Sequence, residues 1–279
     1  MVSIAGGLQP LEKGDRNSGR ANMLNGVKLM IKSALARIGY RVSAIPPAPR
    51  DPDSLVASGL APSECYARFH SDCPIFQPWL GHGEFASAYE GVKEKTLVSA
   101  DRCYLLWKFA QHALSLDGAF IECGVYRGGT ALMLARMLSG SDRKLWLFDS
   151  FEGLPNSQPD KGDHYERGAF GDTSVEGVAK LLKPFAGSIE IKKGWIPTSF
   201  QGAEELRFSL AHVDVDLYEP ALECCRFIFP RLASGGVMIF DDYGFPSCRG
   251  ERTAVDDYFA EQKRTVISLP TGQALVIKV

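Results

Sequence analysis

The sequence predicts a doubly wound α/β sheet of seven strands, mostly parallel, with an antiparallel C-terminal hairpin. Two observations carry this. From residue 96 onward, short apolar runs alternate with amphipathic helical segments five times. The last two runs, "TVISLP" and "ALVIKV", then flank Thr271-Gly272 with no helix between them, which is the pattern of a hairpin. No internal repeat or low-complexity tract competes with this reading.

The elements follow in order. Residues 1–20 are Gly-rich and polar, and predict a poorly ordered tail. From Ala21 to Tyr40, Met23, Val27, Met30, Ile31, Ala34, Leu35 and Ile38 recur at helical spacing, with Lys28, Lys32 and Arg37 between them. A helix packed on its own core or on a partner subunit outweighs one lying on a membrane surface, so a homo-oligomer is an open expectation. "AIPPAPRDPDS" at 44–54 reads as a linker, and residues 55–95 as short helical pieces with aromatic loops. Residues 21–95 are therefore expected to form a helical cap or lid, and residues 96–279 the sheet domain.

Within the sheet domain, Ser99 is placed to cap a helix through "DRCYLLWKFAQHALSL". Strand "AFIECGV", helix "GGTALMLARMLSG" and strand "KLWLFDSFEG" come next. A long loop leads to helix "SVEGVAKLLKPFA" and strand "SIEIKKGW", then a short helical stretch and strand "LAHVDVD". Helix "EPALECCRFIFPRLAS", strand "GVMIFDDYG" and helix "ERTAVDDYFAEQ" precede the hairpin.

Composition narrows the function classes. A formal charge of −2 with mixed signs throughout argues against a nucleic-acid partner. No apolar run reaches the ~20 residues that span a bilayer, and the polar start has no secretory h-region, so a cytoplasmic protein is expected. Seven cysteines without C-x-x-C or zinc-like spacing read as reduced and mostly buried.

Three constellations sit where such sheets bind ligands, beyond the carboxyl ends of the strands. The first is "IECGVYRGGT" at 121–130, with glycines at the turn from strand to helix. Gly124, Gly128 and Gly129 depart from the dinucleotide spacing G-x-G-x-x-G, and Glu122 would repel a pyrophosphate and attract an ammonium. A cationic, phosphate-free nucleoside fits, and a tight turn without a ligand fits equally well. The second is Asp149, which closes the next strand and can accept from ribose hydroxyls, a reading that outweighs a turn cap. The third is the pair "DVD" at 214–216 and "DD" at 241–242. Adjacent parallel strands end side by side, about 5 Å apart, so these carboxylates crowd one edge and repel. A hard divalent cation relieves that repulsion, and this is favoured over four separate helix caps.

Taken together, "FIECGVYRGGT", "LWLFDSFEGLP", "KGW", "VDVDLYEPALE", "LASGGVMIFDDYG" and "CRGERTAVDDYF" resemble the macrocin O-methyltransferase family. The resemblance runs from about residue 96 to the end. It implies a Rossmann-like class I methyltransferase fold, with S-adenosylmethionine and Mg²⁺ as cofactors and a small-molecule or glycoside acceptor. It also implies a metal set of Asp214, Asp241 and Asp242, with Val215 where family members often carry Gly. The cofactor would be held by Glu122, Gly124, Tyr126, Arg127, Gly128 and Thr130, by Asp149 and Ser150 at the ribose, and by Gly194 and Trp195 at the adenine. Asp214 would take the acceptor's proton. His164 and His212 are rival bases, more simply read as surface and core residues, and Arg167, Arg249 and Arg252 read as solvated. Two other classes remain open at this point. A Mn²⁺-dependent glycosyltransferase would use the "DVD" motif but leave Glu122 beside a pyrophosphate. A NAD-dependent oxidoreductase would leave the later aspartates without a purpose.

Overall fold

Alternating residues on each central strand are apolar on both sides, and the reason is burial on both faces of the sheet. The computed structural model describes residues 66–68 and 75–279. The chain divides between residues 50 and 51, and every described residue belongs to the second unit. The tail expected at 1–20, the helix at 21–40, the linker at 44–54, and Cys65 and Cys73 lie outside the described residues.

Two short antiparallel strands, β1 (Tyr66–Arg68) and β2 (Ile75–Phe76), come first, followed by helices α1 (Glu84–Glu90) and α2 (Ala100–Ala113). The alternating region is β3 (Ala119–Cys123), α3 (Gly129–Met137), β4 (Leu145–Asp149), α4 (Val175–Leu181), β5 (Ile189–Lys193), β6 (Phe208–Val213), α5 (Tyr218–Ile228), β7 (Leu232–Phe240) and α6 (Arg249–Glu261). Strands β8 (Ile267–Ser268) and β9 (Ala274–Ile277) close the chain. The seven-stranded sheet runs β5-β4-β3-β6-β7-β9-β8. Strands β3 to β7 are parallel; β9 is antiparallel to β7, and β8 to β9. This is the doubly wound sheet with an antiparallel edge that the sequence predicts.

Strand alternation sorts the core into two layers. Phe120, Leu147, Leu210 and Ile239 face the layer built with α1, α2, α3 and α4. Ile121, Phe148, Ala211, Met238 and Phe240 face the layer built with α5 and α6. The segment before residue 96 shares the first layer: Phe85 packs edge-on to Tyr104 and beside Trp107, and Val92 is buried there. Several elements are shorter than expected: α4 ends at Leu181, β6 ends at Val213 and β8 covers only Ile267–Ser268. Helix α5 stops at Ile228 because Pro230 cannot continue it, so "LAS" opens β7 instead of ending the helix.

Candidate active site

Backbone hydrogen bonds continue past the strand ends and align five chain segments along one edge. The amides of Gly124, Gly194, Asp214 and Asp241 donate to Phe148, Asp149, Cys123 and Val213, each at 2.9 Å. A cavity of about 290 Å³ opens over this edge. Gly124, Tyr126 and Thr130 line it from the first turn, Asp149 and Ser150 from β4, Gly194 and Trp195 from β5, and Asp214, Asp241 and Asp242 from β6 and β7.

The side-chain period of two explains what lies beneath. On the α2 face, the apolar rows 120, 210 and 239 are followed two residues on by Glu122, His212 and Asp241, all fully buried. The parallel register pairs Glu122 with His212 directly. His212 Nδ1 lies 2.8 Å from Glu122 Oε1, and its Nε2 lies 3.4 Å from Asp241 Oδ1. Asp241 Oδ1 also accepts from Gln273 Nε2 at 2.7 Å, and its Oδ2 accepts from Arg102. Burial works against charge on His212, but its bonds to Asp241 and Glu122 outweigh that and lift its pKa to about 9. Asp241 goes the other way: burial pushes it up, and His212 and Arg102 bring it below the usual range.

Among the described residues, only Asp242 of the remaining acids meets a cation, Arg102 Nη1 at 3.1 Å, and burial outweighs it. Asp214 is pushed well up by burial and by Asp241 and Asp242. Asp216 rises to about 8 through burial and the charge of Asp242. Asp242 and Glu251 rise too, through burial first and then the carboxylates of Asp241 and Asp242 respectively. Six carboxylates (Glu122, Asp214, Asp216, Asp241, Asp242, Glu251) thus share this edge with two cations, Arg102 and His212. The donor atoms of His212, Asp214 and Asp241 lie within 4.8 Å of one another, as do those of Asp216, Asp242 and Cys248, and the expected metal set straddles these two groups. Carboxylate oxygens with uncompensated negative charge suit a hard divalent cation.

These shifts set a pH dependence. His212 keeps to about 9 a proton that the unfolded chain releases near 6.5, so its bonding stabilises the fold fully below 6.5 and is lost as pH rises through 9. Asp216, raised from 3.8 to about 8, acts in the same direction, because the unfolded chain ionises first across that window. In chelator, the melting temperature should fall steadily from about pH 6 to about pH 9. A flat or rising profile would contradict the buried network.

The first turn departs from expectation in detail. Gly124, at φ +84°, accommodates the protein itself: a Cβ there would lie 1.7 Å from the Asp214 carbonyl oxygen. Asp149 clamps the turn, its Oδ2 accepting from the amides of Val125 at 2.7 Å and Tyr126 at 3.0 Å, and its Oδ1 from Phe151 at 2.6 Å. Three acceptor positions are filled, leaving one of about four for a ribose hydroxyl. Tyr126 is held at φ +50° by this clamp.

Three residues expected on the cofactor are not on the cavity wall. Glu122 faces His212 instead, because strand alternation points it into the sheet's α2 face. Arg127 is exposed, paired with Asp172 and lying 5.0 Å from the Tyr126 ring. Gly128, at φ +82°, precedes α3 and makes room for Val178 and Leu181 of α4.

The long loop after β4 covers the site. Asp163 pins it: its Oδ1 accepts from the Tyr218 amide at 2.9 Å and its Oδ2 from the Gln158 amide at 2.7 Å. Beyond the pin, Tyr165 and Phe170 pack edge to face at 5.2 Å and line the cavity. His164 and Arg167 on the same loop are exposed, while Arg252 donates to the Tyr243 carbonyl at 2.9 Å.

Sequence reasoning missed Arg102, Gln273 and Glu251. Arg102 had a signal: it lies on the helical stripe 102, 103, 106, 107, 110, 113, whose other members are apolar and buried. A guanidinium there needs buried acids opposite.

The macrocin-O-methyltransferase (TylF) family model matches residues 95–268. The chain belongs to this family. The macrocin-O-methyltransferase match spans α2 to β8 and so includes every residue of the acid-lined edge except Gln273. The chain is 30% identical over 156 residues to the 8-demethyl-8-(2,3-dimethoxy-alpha-L-rhamnosyl)-tetracenomycin-C 4'-O-methyltransferase of Streptomyces olivaceus, covering 51% of this chain and 58% of that enzyme. It is 28% identical over 181 residues to the mycinamicin III 3''-O-methyltransferase of Micromonospora griseorubida, covering 58% of this chain and 69% of that enzyme. The match thus takes in less than two thirds of the first relative's length. Among solved structures, the O-methyltransferase NovP superposes with a TM-score of 0.58 at 22% identity, covering 66% of this chain and 82% of its own. That likeness shows the class I methyltransferase fold. Among the described residues, no helix is long and apolar enough to cross a membrane.

Proposed function

We propose that this chain moves the methyl group of S-adenosylmethionine to a hydroxyl of a sugar or sugar-containing natural product, with Mg²⁺ bound at Asp214, Asp241 and Asp242. The observation that carries the reading is the acid-lined edge opening into the same cavity as the Gly124 turn and Asp149. The family supports the reaction, and the names of the two relatives give a rhamnosyl-tetracenomycin and mycinamicin III as the compounds they methylate on oxygen.

S-adenosylmethionine supplies a methyl group on a sulfonium, and Mg²⁺ supplies Lewis-acid acidification of a hydroxyl. The chain's own residues do the rest. Asp149 offers its free acceptor position to the ribose, and Gly194 and Trp195 wall the adenine side. Glu122, fully buried and 2.8 Å from His212 Nδ1, anchors the end of β3 two residues before the turn. Asp214 faces the cavity and takes the acceptor hydroxyl's proton. The pinned loop, with Tyr165 and Phe170, excludes water and aligns the acceptor, and positioning of this kind can supply ~7 to 11 kcal/mol of the barrier.

Calorimetric titration tests the cofactor assignment. S-adenosylhomocysteine should bind far more tightly than NAD, and Asp149→Ala should weaken it by roughly 1.5 to 3 kcal/mol per charge-assisted bond lost. Tighter binding of NAD would overturn the assignment.

A further inference from the structure

Arg102 sits where a bound cation would need to be. Its Nη1 donates to Asp242 Oδ1 at 3.1 Å and to Asp241 Oδ2, so one nitrogen bridges two of the three carboxylates assigned to Mg²⁺. The guanidinium is not held there by the acids alone. Its Nη2 donates to the Leu97 carbonyl at 3.2 Å, its Nε to Ser99 Oγ at 3.2 Å, and the Phe245 ring covers it at 4.8 Å from the centroid. Only 8% of the residue is exposed, so solvent screens its charge little.

We infer that Arg102 is a built-in counter-cation of the acid cluster, which a divalent ion must compete with, and that this residue sets the protein's metal affinity. The inference rests on the metal-dependent reading above. A guanidinium cannot give up its charge in the accessible pH range, so it cannot make room for an ion by deprotonating. The ion must either displace Nη1 from Asp241 and Asp242 or bind beside a like charge a few ångströms away. Both weaken binding. In return, the metal-free protein keeps Asp241 and Asp242 paired and in place, where removal of Arg102 would leave buried acids facing one another.

The test is titration of the full-length, metal-free protein with Mn²⁺, followed by the electron paramagnetic resonance signal of the free ion. Arg102→Met should bind Mn²⁺ at least about tenfold more tightly than wild type, and Arg102→Lys, which keeps the charge, should stay within about threefold of it. Measurable wild-type binding with equal or weaker binding by Arg102→Met would overturn the inference and leave the metal site standing. No Mn²⁺ binding by either protein would overturn both. Melting curves give a second readout. Arg102→Met should melt lower than wild type in chelator and gain more from Mg²⁺, and equal gains would count against the competition. If the variant is unfolded in chelator, the Mn²⁺ concentration that folds it reports the same affinity, and failure of Mn²⁺ to fold it would also overturn the inference.

Discussion

Asp214→Asn should lose about 10² to 10⁴ in turnover even with Mg²⁺ in excess, while its affinity for S-adenosylhomocysteine stays within about threefold of wild type. The amide keeps an oxygen that can face a cation but has no basic site to receive a hydroxyl proton. The cofactor contacts proposed above lie at the β3, β4 and β5 ends, whose side chains the substitution leaves in place. Asp216 provides the internal contrast. It is held protonated to about 8, accepts from Cys248 Sγ at 3.5 Å, and sits at φ +61°, a conformation that Asn tolerates as readily as Asp. A neutral amide there imitates the group already present, so Asp216→Asn should cost about tenfold or less. Chelation should silence the wild-type enzyme and Mg²⁺ should restore it. Full activity in chelator, or an active Asp214→Asn, would return these acids to the role of helix caps.

The sheet was legible because its signals are local. Each buried strand carries an apolar run, each helix a stripe, and the two final strands a turn between them. The carboxylates were legible for a similar reason: two short acidic motifs end neighbouring strands, and parallel pairing brings them together whatever the loops do. What balances them was not legible. Arg102 lies 139 residues before Asp241, and only the packing of α2 on the sheet makes them neighbours. Gln273 reaches Asp241 because β9 inserts beside β7, a choice of strand order that the hairpin pattern leaves open. Glu122 shows the same limit from the other side. Its place in the motif suggested a ligand contact, while strand alternation assigns it to His212 on the inner face.

Gly124→Ala should be among the most damaging single substitutions in the chain, destabilising the fold by about 3 kcal/mol or more. The sequence offered two reasons for glycine at this turn, a ligand's approach or the turn's own geometry, and the structure favours the second. A methyl group at Gly124 would lie 1.7 Å from the Asp214 carbonyl oxygen and 2.7 Å from its carbon. Those are backbone atoms, held by the Asp214 amide donating to Cys123 at 2.9 Å, so no side-chain rotation relieves the contact. The ends of β3 and β6 must separate, carrying Asp214 away from Asp241 and Asp242. Gly140 is the matching control, since it has the same φ of +84° but nothing within 4 Å of its would-be Cβ. Gly140→Ala therefore pays only the left-handed conformation, about 1 to 2 kcal/mol. Equilibrium urea unfolding of the two variants separates strain from close approach by subtraction. If Gly124→Ala unfolds within about 1 kcal/mol of Gly140→Ala, the strand ends are looser than described, and the alignment of Asp214 with its neighbours loses its structural cause.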